Sequence, residues 1–154
     1  MFCVFMLVSI ISCVSSSCSK KETVLVQQKY EFPDANWNFD HKLVTFKMDV
    51  KDISQPCQVI LELEHEKIDA IRSLPFTVTI HSPDGGESSR RAAFVFNDPE
   101  NNKDNKTVSV AYKEHYFNTP GDYTVEVYRK YDRFDLYGMK SLTAKIIKLK
   151  KGES

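Results

Sequence analysis

Apolar residues recur at every second position in one segment after another, and this period of two constrains the fold more than any other feature of the chain. From Lys42 to Val50, the residues Val44, Phe46, Met48 and Val50 share one face, while Lys47 and Asp49 lie on the other. Gln58 to Glu64 sets Val59, Leu61 and Leu63 against Glu62 and Glu64. Phe76, Val78 and Ile80 alternate with Thr77, Thr79 and His81, and Ala92, Phe94 and Phe96 follow. Val108, Val110 and Tyr112 alternate with Thr107, Ser109 and Ala111; Tyr123, Val125 and Val127 alternate with Thr124, Glu126 and Tyr128. Leu142, Ala144 and Ile146 close the series, and a weaker strand falls at Thr23 to Gln28. Strands with one polar face pair antiparallel, because a parallel sheet is covered on both sides and its strands are apolar throughout.

Turn chemistry separates these segments. Ser82-Pro83-Asp84-Gly85-Gly86 and Thr119-Pro120-Gly121-Asp122 combine a fixed proline φ with glycines that reach positive φ. Asn97 to Asp104 is a longer polar loop, and the charged stretch Glu64 to Ser73 reads as a loop with one turn. The expected fold is all-β: an antiparallel two-sheet β-sandwich of seven to eight strands.

The first fourteen residues do not belong to this pattern. Met1 to Val14 is uncharged and almost wholly apolar, too short for the ~20 residues of a membrane-spanning helix. Its length suits the apolar part of a secretory signal, roughly 7–15 residues. Ile10-Ile11-Ser12-Cys13 resembles a bacterial lipobox, with an aliphatic residue at −3, a small residue at −1 and a thiol to receive diacylglycerol. Ser15-Ser16-Ser17-Cys18 is the alternative acceptor site, with a small residue before the cysteine but no aliphatic one at −3. The first basic residue is Lys20, so the leader lacks the usual cationic start. The competing reading is an apolar first strand or buried helix. The expected organisation is a lipoprotein signal peptide over 1–12, a lipidated N-terminus and tether over 13–28, a sandwich over 29–149 and a polar tail over 150–154. If Cys13 is the acceptor, Cys18 and Cys57 remain and could pair in an oxidising compartment; if Cys18 is the acceptor, Cys57 is alone.

Lys+Arg and Asp+Glu both number 21, and this balance argues against a nucleic-acid footprint. No catalytic constellation, cofactor motif or metal site emerges. His41, His65, His81 and His115 are scattered, and Glu64-His65-Glu66 reads as a solvated rim. Asp98, Glu100, Asn102 and Asp104 are spaced as in a calcium loop, but Lys103 replaces the turn glycine and Ser109 stands where the bidentate glutamate belongs. One surface run stands out. Tyr128, Tyr131, Phe134 and Tyr137 recur every third residue, interleaved with Arg129 and Arg133, a period suited to neither strand nor helix. Tyr128, Tyr131, Arg133, Phe134 and Tyr137 are therefore candidate partner-binding residues, through stacking and cation–π contacts. The plainer alternative is that the rings plug the open end of the core. Trp37, alone before a strand, reads as a core residue sealing a sheet edge.

Several of these features recur together in a known order. Lys29-Tyr30-Glu31-Phe32-Pro33-Asp34-Ala35-Asn36-Trp37 precedes the strand Val44 to Asp52; Val59 to His65 and Pro75 to Gly85 follow. Pro120-Gly121-Asp122-Tyr123-Thr124-Val125 and Leu136-Tyr137-Gly138-Met139 lead into the last strands. In this order behind a lipobox, the chain resembles the gliding-motility lipoprotein GldH family. The resemblance implies a lipid-anchored, non-enzymatic component of the bacterial cell envelope, held by its N-terminal lipid at the outer membrane, on the periplasmic face or the surface. Its implied partners are proteins of the envelope or gliding apparatus. A surface glycan-binding or adhesion module, with the Tyr128 to Tyr137 run stacking on sugar rings, is the rival reading.

Overall fold

The computed structural model describes residues 22–131 and 134–150. Eight long strands appear where the alternation places them: β1 (Thr23–Glu31), β3 (Leu43–Val50), β4 (Cys57–His65), β5 (Ser73–His81), β6 (Glu87–Val95), β8 (Lys106–His115), β9 (Gly121–Arg129) and β11 (Met139–Lys148). Three two-residue strands complete the set: β2 (Asn36–Trp37), β7 (Asn102–Lys103) and β10 (Leu136–Tyr137). Pairing among them is antiparallel throughout. They form three sheets rather than the two expected: a five-stranded sheet in the order β1-β11-β4-β8-β7, a four-stranded sheet in the order β3-β9-β5-β6, and a small β10-β2 ribbon. The ribbon escapes a periodicity argument because two residues cannot display a period. The five-stranded sheet takes in residues from Thr23 onward, because β1 pairs with β11 from Thr23↔Lys148.

The two large sheets face each other across one core. Val44, Phe46, Met48 and Val50 of β3, Phe76, Val78 and Ile80 of β5, and Tyr123, Val125 and Val127 of β9 meet Val59, Leu61 and Leu63 of β4 and Leu142, Ala144 and Ile146 of β11. Burying each of the larger side chains contributes roughly 1.5–3 kcal/mol. The Pro-Gly-Asp-Tyr motif acquires a physical role here. Tyr123 hydroxyl donates to Thr119 O at 2.7 Å, tying the turn to the strand it opens. This is the tyrosine corner found in Greek-key sandwiches. Gly138, at φ 80°, turns the chain from β10 into β11, and its carbonyl accepts Glu66 N–H at 2.7 Å.

β8 departs from its apparent phase. Thr107, Ser109 and Ala111 face the core, whereas Val110 is 40% exposed. Register shifts against β4 on either side of Val59 insert extra residues into β8, and both Ala111 and Tyr112 end up buried. Such bulges re-aim side chains without breaking the sheet. His65 differs from expectation too. It is buried, its Nδ1 bonded to Glu66 O at 2.6 Å and its Nε2 to Thr107 Oγ1 at 2.7 Å, so it belongs to the core and not to a rim. The stretch after His65 carries no helical turn.

The seam between β6 and β8 is closed by Tyr112. Its hydroxyl donates to Ser88 O of β6 at 2.8 Å, and the Arg90 guanidinium lies 5.2 Å above its ring. Arg90 is paired with Val78, a core residue, and so projects from the core-facing side of β6. Chain direction then defines two ends. β1 starts beside the end of β11 and the start of β4, as Thr23↔Lys148 and Lys148↔Cys57 show. It finishes roughly 30 Å away, beside Trp37 and Gly138.

The β8 phase is testable by urea denaturation. Val110→Lys should change stability by less than about 1 kcal/mol. Ser109→Lys, which buries an unpaired charge, should cost about 3 kcal/mol or more. The reverse order would restore the phase read from the alternation.

Candidate functional site

The end of the sandwich opposite Thr23 gathers most of the exposed aromatic surface. Phe32 is buried, stacked on Trp37 at 4.9 Å, with the Tyr30 ring edge-on at 5.2 Å. Pro33 opens a single 3-10 turn, Pro33–Ala35, in which Ala35 N–H reaches Phe32 O and Asn36 N–H reaches Pro33 O. Asp34 and Ala35 both take left-handed backbone angles, at φ 56° and 48°. For Ala35 this costs about 1 kcal/mol or more. The turn aims Trp37 into the core, where it is fully buried and pairs with Leu136 across the β2–β10 ribbon. Trp37 seals the end of the core, as its position before a strand suggests.

Asp135 holds this end together. Its Oδ1 accepts Phe39 N–H at 2.7 Å, its Oδ2 accepts the Tyr137 hydroxyl at 3.3 Å, and the Asn36 side chain donates to it as well. The Phe39 bond contributes most to holding this carboxyl below its ordinary range, and the nearby Arg129 charge adds to it. Arg129 itself is fully buried, with one guanidinium nitrogen donating to Phe134 O at 3.0 Å. A buried cation thus pins the loop that carries the outermost rings.

Those rings separate into two groups. Phe134 is 64% and Tyr137 71% exposed, and Tyr128 is exposed beside Leu43, its partner across β3 and β9. Tyr131 packs against the core instead and is only partly accessible. Cys13, Cys18 and Arg133 lie outside the described residues. Part of the period-three run packs against the core and part of it is exposed. Sequence reasoning missed Phe39 and Leu43, which extend the exposed patch; Lys42 Nζ sits 4.6 Å above the Phe39 ring. The only signal was Asn38-Phe39-Asp40, a turn sequence that forces its central residue outward.

A cleft of about 430 Å³ adjoins this patch, lined by Tyr30, Phe32, Pro33, Asp34, Asn36, Asn38 and His41. Asn38 Oδ1 caps Asp40 N–H at 2.7 Å and Asn38 O accepts His41 N–H at 3.2 Å, fixing the cleft's far wall.

The other candidate chemistry is dispersed. His81 lies on the outer face between Glu126 (3.1 Å) and Glu87 (3.6 Å), while His115 is wedged between Tyr112 and Phe117, where burial favours its neutral form. Among the described residues no three potential metal ligands converge. The acidic loop is a hairpin: Asp98 caps Glu100 N–H and the Asn101 side chain, and Asp104-Asn105, both at positive φ, turn β7 into β8. Cys57 is buried, without a disulfide partner among the described residues, and desolvation pushes its thiol up. No helix among the described residues is long and apolar enough to cross a membrane.

The architecture is that of an all-β sandwich with loops at both ends and a short two-stranded ribbon at the end opposite Thr23. Residues 24–146 match the model of the GldH lipoprotein family, and the chain belongs to that family. No curated protein matches the sequence. Membership makes it a membrane-anchored protein of the cell envelope.

Asp135 gives this end a pH signature. Its depressed folded-state pKa means the unfolded chain takes up a proton first as pH falls. The stabilisation is therefore complete above the ordinary carboxylate pKa of about 4 and is lost as pH drops through the folded value. Urea midpoints measured at pH 7 and pH 3 should fall further for the wild type than for Asp135→Asn, which has already lost this contribution at pH 7. Equal falls would remove Asp135 from the account.

Proposed function

We propose that this protein is a lipid-tethered, non-enzymatic scaffold of the gliding machinery that presents its aromatic end to protein partners of the cell envelope. One observation carries the reading: the described chain enters and leaves the sandwich at one end, while Phe39, Leu43, Tyr128, Phe134 and Tyr137 are exposed at the other. A tether attached at Thr23 therefore leaves those rings facing away from the membrane. Exposed aromatics near basic side chains are the residue types that carry most of the energy of protein interfaces.

The acyl acceptor in this reading is Cys13, with Cys18 as the alternative, and the membrane is the outer one. Each buried methylene contributes about 0.8 kcal/mol, and one chain alone holds only marginally, so several acyl chains make release negligible. The stretch from Cys13 to Thr23 reaches at most roughly 35 Å when extended. That length sets how far the sandwich can stand from the lipid. The sandwich then acts mechanically, as a fixed post whose far end is available to neighbours. Neither a nucleic acid nor a cofactor has a part in this role.

Two measurements on cells test it. Clickable palmitate should label the wild-type chain, and labelling should vanish, with release from the membrane fraction, when Cys13 and Cys18 are both changed to Ala. Undiminished labelling would sink the anchor. A photo-crosslinking amino acid at Tyr137 should give a discrete envelope adduct that the same group at Thr45, on the outer sheet face, does not. Matching adducts at both positions would sink the docking role of the aromatic end.

A further inference from the structure

We infer that the cleft bounded by Tyr30, Pro33, Asp34, Asn36, Asn38 and His41 is a binding site for a neutral saccharide. Its volume of about 430 Å³ lies within the range of small-ligand sites. The lining decides the class of ligand. Lys and Arg are absent from it, and its one carboxylate, Asp34, repels anions, so phosphate, sulfate and acidic sugars are disfavoured. Four of the seven lining residues are polar, which does not suit an acyl chain. What the wall offers is a mixture of donors and acceptors with little formal charge. Asp34 supplies acceptors. Asn38 has its oxygen engaged with Asp40 N–H and keeps its amide donors. Asn36 has its amide turned to Asp135, and its oxygen lies buried behind the wall without a donor. His41 adds a ring nitrogen of either kind. A sugar hydroxyl donates and accepts at once, and a ring of hydroxyls suits such a mixture better than any single-charge ligand.

The apolar part of the lining fits the same ligand. Tyr30 stands at the corner of the sandwich, 38% exposed, with its ring fixed edge-on against Phe32. An aromatic face carries partial negative charge, and the C–H face of a pyranose carries the complementary partial positive charge. Pro33 adds a second rigid apolar surface. The walls are also set in advance. The left-handed pair Asp34 and Ala35 fixes one side, and the Asn38–His41 turn fixes the other. A site ordered beforehand loses less on binding. This site differs from the exposed Tyr128, Phe134 and Tyr137 rings, and it does not depend on what those rings touch.

The full chain, purified in detergent, should be titrated with neutral oligosaccharides: β-linked glucose, N-acetylglucosamine and mannose series. Vesicles carrying a neutral glycolipid form a separate arm. Trp37, the single tryptophan, stacks on Phe32 of the cleft and reports occupancy by its emission without any substitution. At least one neutral sugar should shift that emission saturably. Tyr30→Ala and Asn38→Ala should each weaken binding tenfold or more, while Thr45→Ala, on the outer face of β3, leaves it unchanged. Binding in the oligosaccharide arm assigns a free or wall-borne glycan; binding only to vesicles assigns a glycolipid head, and either supports the saccharide site. Absence of a saturable shift with every neutral sugar overturns the assignment. So does binding that survives both cleft substitutions. If either variant loses its folded circular dichroism spectrum, saturation-transfer NMR on the wild-type chain decides between the same outcomes.

Discussion

The structure depends on where its last strand goes. β11 fills the gap between β1 and β4, pairing with both along nearly its whole length. Its side chains are buried on both faces over much of that length, Leu142, Ala144 and Ile146 towards the core and Ser141, Thr143 and Ile147 on the outer side. An unpaired central strand would strand a row of backbone donors and acceptors out of water, at a cost no side-chain packing offsets. The first and last long strands must therefore meet. Once they do, the ends of the described chain lie together and the connecting loops between β1, β2 and β3 are driven to the opposite side. The polarity of the domain follows from this one pairing.

The eight long strands were legible because each has at least four residues on which a period of two can register. The turns were legible because proline and glycine act locally. What escaped the sequence was set by contacts across sheets. β8 carries valines at alternate positions, yet the bulges opposite Val59 turn Val110 outward and draw Thr107 and Ser109 in. His65 sits among charged neighbours in the sequence, but Thr107, forty-two residues away, supplies the hydroxyl that makes its burial tolerable. The β10–β2 ribbon was invisible for want of length. At the candidate site, the exposed positions of Phe134 and Tyr137 and the sealing role of Trp37 were within reach of composition and spacing. The partial burial of Tyr131 and the cleft beside Tyr30 were not: the first depends on packing against the core, and the second, although its lining falls within residues 30–41, depends on a left-handed turn at Asp34 and Ala35 that no glycine announces.

The aromatic end is held by groups that stability alone would not choose. Arg129 is fully buried, Asn36 and Trp37 each keep a buried polar atom without a partner, and two consecutive residues sit in left-handed geometry. Each of these features opposes folding. They are concentrated at the end that exposes the rings and bounds the cleft, and the rest of the sandwich, with its regular alternation, offsets them. Asp135 and Arg129 tie Phe39, Phe134 and Tyr137 to the sandwich beneath them by hydrogen bonds.

Arg90 has a consequence for how such molecules coexist. Proteins tethered to the same membrane share a thin layer, where their effective concentration is high and their strand directions are similar. An open sheet edge under those conditions is an invitation to zip neighbours into ribbons. A guanidinium projecting from the core-facing side of β6, held over Tyr112, cannot be taken into a continuous sheet without stripping it of solvent. On that flank the molecule resists fusing with its own copies. Crowding on a surface can then proceed without aggregation there.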